Sequence, residues 1–75
     1  MLPEVIKMTR KKALLSQDAF ARELNVSVPT VVRWESGKVK PNITAMRSIK
    51  DFCEKHDLPY DPIQTEWIKC SIKNK

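Results

Sequence analysis

Residues Gln17 to Gly37, QDAFARELNVSVPTVVRWESG, confine this chain more than any other stretch. Two short amphipathic segments flank a three-residue link, Asn25-Val26-Ser27. The first, about Gln17 to Leu24, puts Phe20, Ala21 and Leu24 on one helical face. The second, about Val28 to Glu35, does the same with Val31 and Trp34, with Val28 beside them. Ser16 and Ser27 each stand immediately before a segment, where a hydroxyl can accept a hydrogen bond from an unpaired first-turn N–H. Neither has Glu or Gln three residues later, so neither completes a capping box. So short a link allows only a sharp turn. Asn25 falls where the chain needs positive φ, which Asn tolerates better than most non-glycine residues. Val26 is the apolar plug between the two helices, and Pro29 falls in the first turn of the second, where a missing N–H costs nothing.

The flanks continue the helical pattern. Met1 to Lys12 reads as a first helix, with Pro3 and Glu4 suited to its opening turn. Val5, Ile6 and Thr9 point inward, and Lys7, Arg10, Lys11 and Lys12 suit its negative C-terminal end. Ala13-Leu14-Leu15 is a link with Leu15 in the core. Gly37 ends the second motif helix in left-handed conformation and opens a loop to Pro41. Asn42 caps a fourth helix, about Ile43 to Lys55, whose stripe is Ile43, Met46, Ile49, Phe52 and Cys53. After a break at His56 to Tyr60, Asp61-Pro62-Ile63-Gln64 restarts the chain with Asp61 as N-cap and Pro62 first in the helix. That fifth helix runs to about Ile72, with Ile63, Trp67 and Cys70 on one stripe and Ile68 and Ile72 on another. Residues 71–75 are expected to fray.

Seventy-five residues make one small domain with a modest core and little room for an enzyme cleft. Fourteen Lys and Arg against nine acids give a net charge of +5, which favours an anionic partner. No apolar run approaches the length of a membrane span, and no charged-then-apolar leader opens the chain. With two cysteines, Cys53 and Cys70, the default setting is reduced and cytoplasmic.

Several of these residues form a recognisable set. Gln17, Ala21, Asn25, Val26 and Val31 are followed by Arg33-Trp34-Glu35-Ser36-Gly37, then Lys38 and Pro41, with Arg10 upstream. This set resembles the helix-turn-helix of the phage repressor and Cro-like proteins, the XRE family, over about Ile6 to Leu58. The family usually has Gly where this chain has Asn25, a mild departure because both adopt the left-handed conformation. The resemblance implies a compact all-α, five-helix, lambda-repressor-like domain from a bacterial or phage-type source. It implies a sequence-specific double-stranded DNA-binding regulator, with steric occlusion of a promoter as the simplest mechanism. It further implies a partly buried ion pair between Arg10 and Glu35 close to the DNA backbone. Phosphate contacts are implied from Gln17 and from Lys38 and Lys40 in the loop.

A helix of this kind fits the major groove of B-DNA, roughly 12 Å wide, with its N-terminal residues at base edges. The face so presented carries Ser27, Val28, Pro29, Thr30, Val32 and Arg33. Arg33 is the clearest reader, since its guanidinium can donate two bonds to guanine O6 and N7. Thr30 can reach a base or a phosphate, and Val28 and Pro29 suit thymine methyl groups. Trp34, spaced with Val31, belongs to the core rather than to a base-stacking surface.

The same residues offer little to other chemistries. Cys53 and His56 have C-x-x-H spacing with Cys70 further on, but structural zinc takes four ligands and no fourth is evident. Neither metal nor cofactor is expected. One histidine, no G-x-S-x-G and no Gly-rich phosphate loop leave nothing to carry catalysis. An antitoxin-type DNA-binding protein with a toxin partner remains open, as does an interaction module without DNA binding. The fifth helix is either a cap on the domain's own core or a homodimer surface anchored by Trp67, Ile68 and Ile72.

Overall fold

The way each helix ends sets the path of this chain. The computed structural model describes residues 1–70, in which five helices follow one another: α1 Leu2–Lys12, α2 Gln17–Leu24, α3 Val28–Ser36, α4 Ile43–Lys55 and α5 Asp61–Lys69. The first four close on a residue with positive φ: Leu14 at 60°, Asn25 at 58°, Gly37 at 81° and Asp57 at 56°. At each exit that residue's amide donates to the carbonyl three positions back. The next amide reaches the carbonyl five positions back. The pairs are Leu14 to Lys11 and Leu15 to Arg10, Asn25 to Arg22 and Val26 to Ala21, Gly37 to Trp34 and Lys38 to Arg33, and Asp57 to Glu54 and Leu58 to Cys53. This is the Schellman arrangement, repeated four times.

Asn25 and Gly37 fill that position as the sequence indicates, whereas Leu14 and Asp57 carry no such signal. A leucine there strains against its own carbonyl by about 1–2 kcal/mol. Its side chain is 91% exposed, so little packing compensates. Leu14→Gly is therefore expected to raise stability by about 1 kcal/mol in urea unfolding. A loss of stability would mean that this exposed side chain makes contacts that matter.

The N-termini are capped by side chains where serine and asparagine predict it. Ser16 accepts from Ala19 N at 3.1 Å, Ser27 from Thr30 N at 3.3 Å and Asn42 from Ala45 N at 2.8 Å. Asp61 behaves differently. It is the first helical residue of α5, preceded by Tyr60, whose carbonyl accepts from Ile63 and Gln64 and whose side chain makes no cap bond. The helix also ends earlier than expected, at Lys69. Ile72 and the fraying expected of residues 71–75 lie outside the described residues.

The core takes Leu2 and Ile6 from α1, Phe20, Ala21 and Leu24 from α2, and Val31 and Trp34 from α3. From α4 come Ala45, Met46, Ile49, Phe52 and Cys53, and from α5 Ile63. Phe20 and Phe52 meet edge to face with ring centroids 5.0 Å apart, which joins α2 to α4. α3 packs on both α1 and α2, and α5 lies against α1. Two inward assignments differ from the sequence pattern. Leu15 is only half-buried, and Ile43 is 59% exposed. Asn42, Ile43 and Thr44 are all exposed, and the buried stripe of α4 begins at Ala45 and Met46.

His56, at the end of α4, ties that helix back to α2. Its Nε2 lies 2.8 Å from Glu23 Oε1, with Lys55 Nζ 3.5 Å from the same oxygen. The His56 hydrogen bond, aided by Lys55, holds the Glu23 carboxyl below the usual carboxylate value. The imidazole also packs on Phe52, with centroids 4.3 Å apart.

Candidate nucleic-acid interface

Glu35, on the last turn of α3, organises the site. Its Oε2 accepts from Arg10 Nε at 2.7 Å, and its Oε1 accepts from Arg10 NH2 and from Gln17 Nε2, both at 3.1 Å. The third guanidinium nitrogen of Arg10 donates to the Leu15 carbonyl at 2.9 Å. Three elements thus converge on one carboxylate: α1 through Arg10, α2 through Gln17 and α3 itself. The Arg10 and Glu35 side chains are only 10% and 4% exposed. A bidentate pair so enclosed fixes geometry more than it adds net stability.

That placement gives Arg10, expected as a DNA contact, the intramolecular partner the family resemblance implied. Its guanidinium is turned inward, and each of its three nitrogens donates one bond, two to Glu35 and one to the Leu15 carbonyl. It anchors Glu35 of α3, the carboxylate to which Gln17 also donates. Gln17 is half-buried at the start of α2, with one amide hydrogen committed to Glu35.

The outer face of α3 forms one continuous ridge. Val28, Pro29, Val32, Arg33 and Ser36 line a shallow groove that continues to Lys38 in the following loop. Val32 lies outside the core, at 42% exposure. Arg33 and Lys38 are exposed, and neither has an acidic partner within 4.0 Å among the described residues. The contrast with Arg22, 2.8 Å from Asp18, makes these two cations the available ones near α3.

Ser27 and Thr30 are less free than the sequence implied. Their hydroxyls pair at 2.8 Å, and Ser27 also caps the helix. Thr30 faces the groove between the turn and α4, lined with Asn25, Trp34, Asn42 and Ser48, rather than the Val28-to-Lys38 groove. Trp34 is 2% exposed, as its spacing indicates, and its indole N–H has no partner among the described residues.

Lys40 also departs from expectation as a phosphate contact. Its Nζ donates to the carbonyls of Trp67 at 3.4 Å and Cys70 at 3.1 Å, and lies 4.6 Å from the Trp67 ring centroid. The open C-terminal end of α5 and the face of its tryptophan attract the ammonium inward. Trp67 is accordingly half-buried against its own chain, while Ile68 is 69% exposed.

Cys53 is fully buried, and burial pushes its thiol up to about 11. Among the described residues, no three His, Cys, Asp or Glu side chains gather where they could hold a metal ion. No described helix is long and apolar enough to cross a membrane.

Two short helices at a sharp turn, an outward ridge with two free cations and a buried clamp behind it define a helix-turn-helix DNA-binding domain. The family model described as helix-turn-helix matches residues 6–56, and the chain belongs to that family, the Cro- and repressor-like group. Neither a curated protein nor a solved structure matches the chain. Its function is that of a DNA-binding, transcription-regulator-type protein.

Proposed function

We propose that this protein is a sequence-specific repressor that reads double-stranded DNA with α3 in the major groove and acts by occluding the site it occupies. The observation that carries this reading is the Val28, Pro29, Val32, Arg33, Ser36 and Lys38 ridge, which ends in two unpaired cations. Arg33 is the base reader, bidentate to a guanine. Val28, Pro29 and Val32 offer only apolar surface, which suits the C5-methyl groups of neighbouring thymines. Gln17 and Lys38 lie against phosphates on either side and set the register without reading sequence.

Two copies on adjacent half-sites would enlarge the small DNA footprint, and the exposed Ile68 on α5 is the apolar residue available for that pairing. Sedimentation of the protein with and without duplex tests the pairing directly.

Lys38→Ala separates phosphate contact from base reading. The variant is expected to bind every duplex more weakly and to lower the slope of log K against log salt by about 0.9. The enriched sequence should stay the same. A change in preferred sequence with an unchanged slope would place Lys38 at a base edge instead.

A further inference from the structure

The loop between α3 and α4 carries Lys38 and runs into Asn42, the cap of α4. The family match ends at residue 56, before α5 begins at Asp61. Yet α5 grips this loop from both directions. The Trp67 indole N–H donates to the Pro41 carbonyl at 2.6 Å. Lys40 in turn donates to the Trp67 and Cys70 carbonyls at the end of α5 and lies over the Trp67 ring. Pro41 itself is fully buried. The contacts are reciprocal: the loop's lysine caps α5, and the helix's tryptophan holds the loop's backbone.

We infer that α5 is a strut that positions the 38–42 loop for DNA, with Trp67 and Lys40 as positioning residues rather than DNA contacts. This rests on the DNA-binding reading above. Fixing the backbone at Lys40 and Pro41 fixes Lys38 two residues earlier and the α4 cap one residue later. A loop ordered in the free protein need not be ordered on binding, which removes part of the entropic cost of association. Lys40, with its ammonium on α5 carbonyls, neutralises no phosphate. The side chain of Lys38, exposed and unpaired, is the one directed to DNA.

The test uses the full chain, labelled random-sequence duplex and four proteins: wild type, W67F, K40M and the double variant. W67F keeps an aromatic ring, though a smaller one, and removes the indole donor, and K40M keeps an unbranched stem and removes the ammonium. Each single variant is expected to weaken binding by about 3- to 10-fold with the salt slope unchanged. The double variant should be no weaker than the weaker single, because both break one clamp. K40R, which can still donate to the same carbonyls, should bind like wild type. Three results would overturn the strut: additive losses, a loss from K40M alone with a slope shallower by about 0.9, or no loss from either. Should W67F fail to fold by circular dichroism, K40M and K40R decide the matter through the slope. Failure of the wild-type protein to bind any duplex would instead remove the DNA-binding reading itself, before any variant is compared.

Discussion

Arg10→Met should destabilise the domain by about 3–5 kcal/mol, because it leaves the Glu35 carboxylate buried without its charged partner. Glu35 loses both guanidinium bonds and keeps only the Gln17 amide, at 3.1 Å. A 75-residue domain holds roughly 4–11 kcal/mol in total, so the variant is expected to lose a large share of its stability. Adding Glu35→Met should restore most of the loss, since a buried pair can often be exchanged for apolar side chains at little net cost. Urea unfolding of wild type and the two variants measures both steps. DNA affinity should not recover with stability in the double variant, because Gln17 has lost the carboxylate that orients it. If the double variant folds and binds like wild type, the clamp does not position the interface.

Arg33→Ala has the opposite profile. The side chain is exposed and unpaired, so stability should shift by no more than about 0.5 kcal/mol. Discrimination at one base pair should fall by about 1–3 kcal/mol, roughly 5- to 150-fold, as the bidentate guanine contact is lost. Val28, Pro29 and Val32 beside it have no side-chain donor to replace it. Binding to one enriched duplex and to its single-base variants, with wild type and Arg33→Ala in parallel, gives the number. Equal losses on all duplexes would make Arg33 a phosphate contact.

Much of the fold was legible because its signals are local. Ser16, Ser27 and Asn42 mark helix starts through bonds to amides three residues on, and those bonds form as the residue types demand. The Phe20, Ala21 and Leu24 face and the Val31 and Trp34 face are core, as helical spacing requires. The pairing of Arg10 with Glu35 spans 25 residues and was reachable only through the family pattern. Where no local rule or pattern applied, the sequence misled. Lys40 and Trp67 meet across 27 residues, and a long lysine stem says nothing about which acceptor its ammonium will find. Ile43 continues the α4 stripe in sequence, yet it is exposed, and the buried stripe begins only at Ala45 and Met46. Leu14 takes the conformation of a glycine because the Schellman exit of α1 needs a left-handed residue there, and leucine propensity gives no warning of it. The Glu23–His56 tie between α2 and α4 was likewise silent in the sequence, because it is set by how the two helices pack.

The proposed role of α3 is to read sequence in double-stranded DNA. Selection of bound duplexes from a random pool tests it most directly. One enriched motif containing a guanine flanked by thymines is expected, with the enrichment at that guanine lost in Arg33→Ala. A pool that stays random after successive rounds, with the wild-type protein folded and binding DNA, would contradict it.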